Sequence, residues 1–208
     1  LSMLKRMFSS NLQNGYGLAK GPQQYVMNYY EDPVLFCSTL AVFLNVQFLA
    51  VLRKADMTKR AKRVLYGVAA LILVGTALPV GGTVFNYFTL PTQRYTFVLM
   101  TVFLLLMAWM WDYMRKGGKL NLVLILAVTA LMGWAYWCGY EQAVFQEYRT
   151  NILILTVTGI LTAVCLTLLC FLKDIQIRNV ILGVMGVVLV VNVVSEGGTN
   201  YQNRVTMK

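Results

Sequence analysis

The sequence predicts an all-α integral membrane protein: a bundle of about six transmembrane helices, the sixth short, joined by short connectors. Three observations carry this reading. Of the 208 residues 58% are hydrophobic and only 12% charged, too few polar groups to cover a water-facing surface, since soluble domains carry about twice that share of charge. Six apolar runs recur, most near the ~20 residues that cross a hydrocarbon core of ~30 Å. Lys and Arg gather in alternate connectors. Only helices or closed barrels satisfy the backbone in lipid, and these runs are too long and continuous for barrel strands. The length fits one domain, a transmembrane unit over 33–194 between two polar tails.

The N-terminal tail, 1–32, has no acid before Glu31 but contains Lys5, Arg6 and Lys20. LSMLKRMFSS, opening on Leu1, is basic, acid-poor and hydroxylated, the composition of a mitochondrial targeting segment with a processed, trimmed or partial start. Tyr25, Tyr29 and Tyr30 precede the first span, where aromatic rings favour the headgroup layer. That span, 33–52, opens on Pro33, suited to a first helical turn. The second, 64–88, contains LPVGG. Pro79 removes a backbone hydrogen bond, and Gly81 and Gly82 loosen the next turn, so a kink or an unwound end is expected there.

The third span, 95–114, ends in the aromatic belt AWMWDYM, followed by Arg115 and Lys116. Gly117 and Gly118 make a tight connector to the fourth, 120–139, which closes on WAYWCGY. The fifth covers 151–172. The sixth, 175–194, has an apolar stretch of only about 22 Å at 1.5 Å per residue. It crosses only if it borrows 175–179, with Arg178 snorkelling to the interface; otherwise the bundle has five spanning helices and a short interfacial one. A polar C-terminal tail occupies 195–208.

Eleven Lys and Arg fall in the first, third and fifth connectors, against Arg94 and Arg149 in the second and fourth. Short basic connectors stay on the side from which the chain inserts. The odd connectors therefore face the matrix in a mitochondrial setting, or the cytoplasm or stroma in another. The basic N-terminal tail then lies on the opposite side, a tension that removal of a presequence resolves. The strongest cluster, Arg53, Lys54, Lys59, Arg60, Lys62 and Arg63, is expected to grip anionic headgroups together with Arg115 and Lys116, at about 1 kcal/mol per cation.

The interior offers little chemistry. The chain has no histidine, which removes the usual haem and zinc ligands and the commonest general base. Cys37, Cys138, Cys165 and Cys170 read as apolar filler. No P-loop, dinucleotide fingerprint, nucleophile elbow or HExxH occurs. Asp112 is the one acid within these spans, and it pairs with Arg115 and Lys116 at headgroup level. The absence of other intramembrane charge argues against proton coupling and voltage sensing. Asn45, Gln47, Asn86 and Asn192 read as helix-to-helix hydrogen bonders. Thr156, Gly159, Ala163, Thr167 and Cys170 recur at spacings of three and four, a small-residue face for close helix packing. Glu141 and Glu147 belong to a solvated connector.

These features lead to a non-enzymatic accessory subunit of a larger membrane complex, placed by the targeting composition in the mitochondrial inner membrane, in a respiratory or ATP synthase complex. Its partners would be other membrane subunits and anionic lipid, with no nucleic acid, and with a cardiolipin-like phospholipid as its bound molecule. A small facilitative transporter or channel is the second reading, resting on the break at Pro79, Gly81 and Gly82.

Overall fold

The computed structural model describes Phe8 and residues 38–54, 58–77, 96–142 and 146–205. These form six helices: α1 (Thr39–Lys54), α2 (Lys59–Ala77), α3 (Thr96–Arg115), α4 (Leu122–Gln142), α5 (Gln146–Phe171) and α6 (Ile175–Val205). The expected all-α membrane architecture is present. Among the described residues, Leu122–Glu141, Arg149–Phe171 and Ile175–Gly198 are long and apolar enough to cross a membrane. The sixth segment is thus not short. The helix runs through Ser195–Gly198 and on to Val205, so much of the expected polar tail is helical. Pro33, Pro79, Gly81 and Gly82, and with them the expected helix break, lie outside the described residues.

Helix starts reflect side-chain chemistry. The first backbone N–H groups of a helix have no intrahelical acceptor, and a short polar side chain just before them supplies one. Ser38 Oγ accepts from Ala41 N–H at 3.0 Å. Thr58 Oγ1 accepts from Ala61 N–H at 3.2 Å, Asn121 Oδ1 from Val123 N–H at 3.0 Å, and Asp174 Oδ1 from Gln176 N–H at 2.8 Å. α3 ends in a Schellman turn. Gly117 N–H donates to the Met114 carbonyl and Gly118 N–H to that of Tyr113. Gly117 adopts φ +84°, where side chains are strained, and a Cβ on Gly118 would strike the Tyr113 ring. The glycine pair is thereby accounted for.

α1 is the hub. It packs against α3, α4, α5 and α6, while α5 lies against both α4 and α6. Seven successive residues, Ser38 to Leu44, are buried. A helix buried all round must be apolar all round, which LAVFL supplies. The outer helices turn Val123, Leu126, Trp137, Val157, Val180 and Val187 outward, each more than half exposed. In lipid these carry no penalty, because acyl chains are as apolar as they are.

The close approach of α5 centres on Gly159. A Cβ there would run into the Met132 thioether of α4 and lie 3.4 Å from Thr39 Cγ2 of α1. Gly159→Val is therefore expected to cost about 1–3 kcal/mol by overpacking, read as earlier unfolding of the purified bundle in a sodium dodecyl sulfate titration. Unfolding at the native midpoint would show that this contact is loose.

Candidate functional site

The polar side chains concentrate at the two ends of the bundle. At one end the hydrogen bonds bring the basic connectors together. Gln47, midway along α1, pairs with the peptide of Asn121 at the start of α4. Its Nε2 donates to the Asn121 carbonyl at 2.7 Å and its Oε1 accepts the Asn121 N–H at 2.8 Å. Lys62 Nζ donates to the Arg53 carbonyl at 3.1 Å, joining α2 to α1. Arg178 links the α5–α6 turn to the α3–α4 turn. This one end therefore holds Arg53, Lys59, Arg60, Lys62, Arg63, Arg115, Lys116, Lys119 and Lys173, with Asp112 and Asp174 as the acids among the described residues.

Arg178 departs from expectation. It does not snorkel; it is 4% exposed. Nη1 donates to the carbonyls of Leu169 at 2.8 Å and Leu172 at 3.0 Å. Nη2 donates to those of Met114 at 2.9 Å and Gly118 at 3.2 Å. These are the last-turn and post-helix carbonyls of α5 and α3, the negative ends of two helix dipoles. A guanidinium fork fits two such ends at once. Snorkelling needs a cation with nothing better than water, and here two converging helix ends offer more.

At the opposite end a buried network crosses four helices. Asn192 of α6 accepts the Thr39 N–H on Oδ1 at 3.1 Å. Its Nδ2 donates to Thr39 Oγ1 and to Thr158 Oγ1, both at 3.0 Å. Thr39 Oγ1 lies 3.1 Å from Tyr136 OH, and Tyr136 OH donates to the Phe8 carbonyl at 3.1 Å. Phe8 is buried edge-on against the Tyr136 ring. The bonds run one way, from amide to hydroxyl to phenol to carbonyl, so each polarises the next. Asn151 Nδ2 bonds Ser195 Oγ at 3.1 Å, and Glu196, one turn beyond Asn192, is 3% exposed. The helix interiors are thus not free of ionisable groups: α6 buries Arg178 near one end and Glu196 near the other. Glu196 escapes a sequence reading that ends the span at Val194, although Asn192 and Glu196 stand at helical spacing.

The residues singled out from the sequence divide into groups. Arg53, Lys59, Arg60 and Arg63 are exposed and Lys62 is half-buried. Lys54 closes α1. Arg115 and Lys116 are exposed and bridge Asp112 at 3.4 Å and 2.5 Å. Gly159 and Ala163 are buried, whereas Thr156 and Thr167 lie half-buried beside them. The inward face of α5 runs instead through Leu155, Thr158, Thr162, Leu166 and Leu169. Asn45 donates to the Ala41 carbonyl at 2.7 Å and the Phe103 carbonyl at 3.3 Å, joining α1 to α3.

Residues 20–207 match the family model described as bacterial membrane protein YfhO. No curated protein and no solved structure matches the chain. The bacterial family overturns the assignment to a mitochondrial respiratory or ATP synthase subunit. The error begins with the basic, hydroxylated first ten residues, which share their composition with a presequence. Phe8, within that stretch, is built into the core against α4. The reason for naming cardiolipin goes with the organelle. The match covers nearly the whole chain, and the chain belongs to the YfhO family of bacterial membrane proteins.

Proposed function

We propose that this chain is a membrane-anchoring helical module of the bacterial envelope, oriented with its basic end at the cytoplasmic leaflet and held there by anionic phospholipid. The supporting observation is the convergence of the odd connectors, through Gln47, Lys62 and Arg178, into one cationic end. Each cation near an anionic surface adds about 1 kcal/mol of attraction, and positive short connectors resist translocation. The reading assigns the chain no reaction of its own. Three of its buried polar side chains join helices: Arg178 to α3 and α5, Asn192 to α1 and α5, Gln47 to the start of α4. The outward apolar faces of α4, α5 and α6 meet acyl chains and neighbouring membrane helices.

Reporter fusions test this in a bacterial host. A cytoplasm-active reporter joined within 55–57 or after Gly118 is expected to be active, and a periplasm-active one silent. Replacing Arg53, Lys54, Lys59, Arg60, Lys62 and Arg63 with Gln is expected to yield a mixed orientation. A periplasm-active reporter working at both positions of the native chain would overturn the assignment.

A further inference from the structure

The cations of the basic end are not equivalent. Arg115 and Lys116 are occupied by Asp112. Arg53, Lys59, Arg60 and Arg63 are exposed and have no carboxylate partner among the described residues. Lys59, Arg60 and Arg63 crowd the start of α2, the positive end of its dipole, where cations are unfavourable. Arg60 and Arg63, three apart, share a face and repel one another. An arrangement of this kind is stabilised by an anion between the charges.

The orientation of α2 shows which face is available. Lys62 bonds the Arg53 carbonyl at 3.1 Å and Tyr66 OH bonds the Leu49 carbonyl at 3.4 Å. Both therefore point at α1. Arg60, Val64 and Gly67 lie on the opposite side of a helix with 3.6 residues per turn, and Arg63 flanks them. Val64 is 58% exposed, and a Cβ on Gly67 would meet nothing within 4 Å. Within two turns, about 10 Å, this face passes from two guanidiniums to an open apolar strip. A soluble phosphate or a nucleic acid would use only the first part. A phospholipid, with a phosphodiester above an acyl chain, uses both.

We propose that this face of α2 holds one anionic phospholipid of the cytoplasmic leaflet. Its phosphodiester sits on Arg60 and Arg63, within the field of Arg53 and Lys59, and one acyl chain lies along Val64 and Gly67. The inference rests on the cytoplasmic orientation proposed above and deepens it from diffuse attraction to a single seat.

The test is native mass spectrometry of the full chain, extracted from bacterial membranes in mild detergent, delipidated and titrated with phosphatidylglycerol. One tightly held lipid is expected for the native chain. Arg60→Gln with Arg63→Gln is expected to weaken it about tenfold or more, while Arg60→Lys with Arg63→Lys retains most of the affinity. Gly67→Trp is expected to weaken it with the charge unchanged, by filling the path of the acyl chain. Arg115→Gln with Lys116→Gln leaves it intact. The site is overturned if the Arg60 and Arg63 double Gln variant binds like the native chain, or if phosphatidylcholine binds as tightly. It is equally overturned if the Arg115 and Lys116 variant loses as much affinity, which would mean attraction spread over the whole end. That last result spares the anchoring reading, whose own failure appears only in the reporter orientation.

Discussion

Replacing Arg178 with Met lowers the stability of the bundle by about 3 kcal/mol, because it leaves carbonyls at two helix ends without that donor. Met keeps most of the side-chain volume, so the loss isolates the guanidinium. It strips four donors from the carbonyls of Leu169, Leu172, Met114 and Gly118. The bonds to Leu169 and Met114 are buried and those to Leu172 and Gly118 partly so, and a buried acceptor left bare costs about 1–3 kcal/mol. The cost is less than the sum of four, because the Met114 carbonyl also receives the Gly117 N–H. Arg178→Lys is expected to recover only part of the stability, since an ammonium on a flexible stem cannot span the ends of α3 and α5 together. Lys173→Gln, at an exposed site nearby, serves as the control and is expected to change stability by about 0.5 kcal/mol or less. Reversible unfolding of the purified chain in sodium dodecyl sulfate measures all three. Arg178→Met unfolding within about 1 kcal/mol of the native chain would show that water already satisfies those carbonyls.

Asn192→Leu is expected to cost about 2 kcal/mol by the same measurement. Hydrogen bonds between membrane helices average about 0.6 kcal/mol, with the best near 1.7. Asn192 makes three, to Thr39 N–H, Thr39 Oγ1 and Thr158 Oγ1. Thr158 loses little, because its hydroxyl still donates to the Ile154 carbonyl at 2.9 Å. The Thr39 N–H, at the start of the hub helix and buried, loses its acceptor. Most of the effect should therefore fall on that one group, and Thr158→Val should cost less than half as much. Equal costs for the two variants would show that the network acts through Thr158 and not through the start of α1.

Much of the architecture is legible in the chain itself. The third and fourth helices fall within a few residues of their expected limits. The Gly117–Gly118 turn is readable from two residues with no side chain to clash. The pairing of Asp112 with Arg115 and Lys116 is a matter of spacing along a single helix. The sixth helix outruns its expected length because an apolar run alone is a poor measure of it. Helical backbone does not end where hydrophobicity ends, and Glu196 lies in the turn that such a measure omits. The face of α5 sits slightly off the one expected through Thr156 and Thr167, because small residues are an imperfect guide. Burial instead tracks Leu155, Leu166 and Leu169 together with threonines that bond their own helix. The targeting reading shows the weakness of composition: a short stretch with Lys5, Arg6, Ser9 and Ser10 looks the same whether it is a presequence or holds a residue such as Phe8 that packs against Tyr136.

Hydrophobicity and the placement of Lys and Arg were enough to say that these helices live in lipid and which connectors belong together, because both depend on one-body terms, the transfer of each residue from water to hydrocarbon and the charge of each loop. The centrality of α1, the burial of Arg178 and Glu196, and the chain of bonds through Asn192 depend on which helix ends converge. That is a many-body outcome: a cation reaches for water or for a helix terminus according to what stands beside it, and only the folded bundle puts Met114 and Leu169 within reach of one guanidinium.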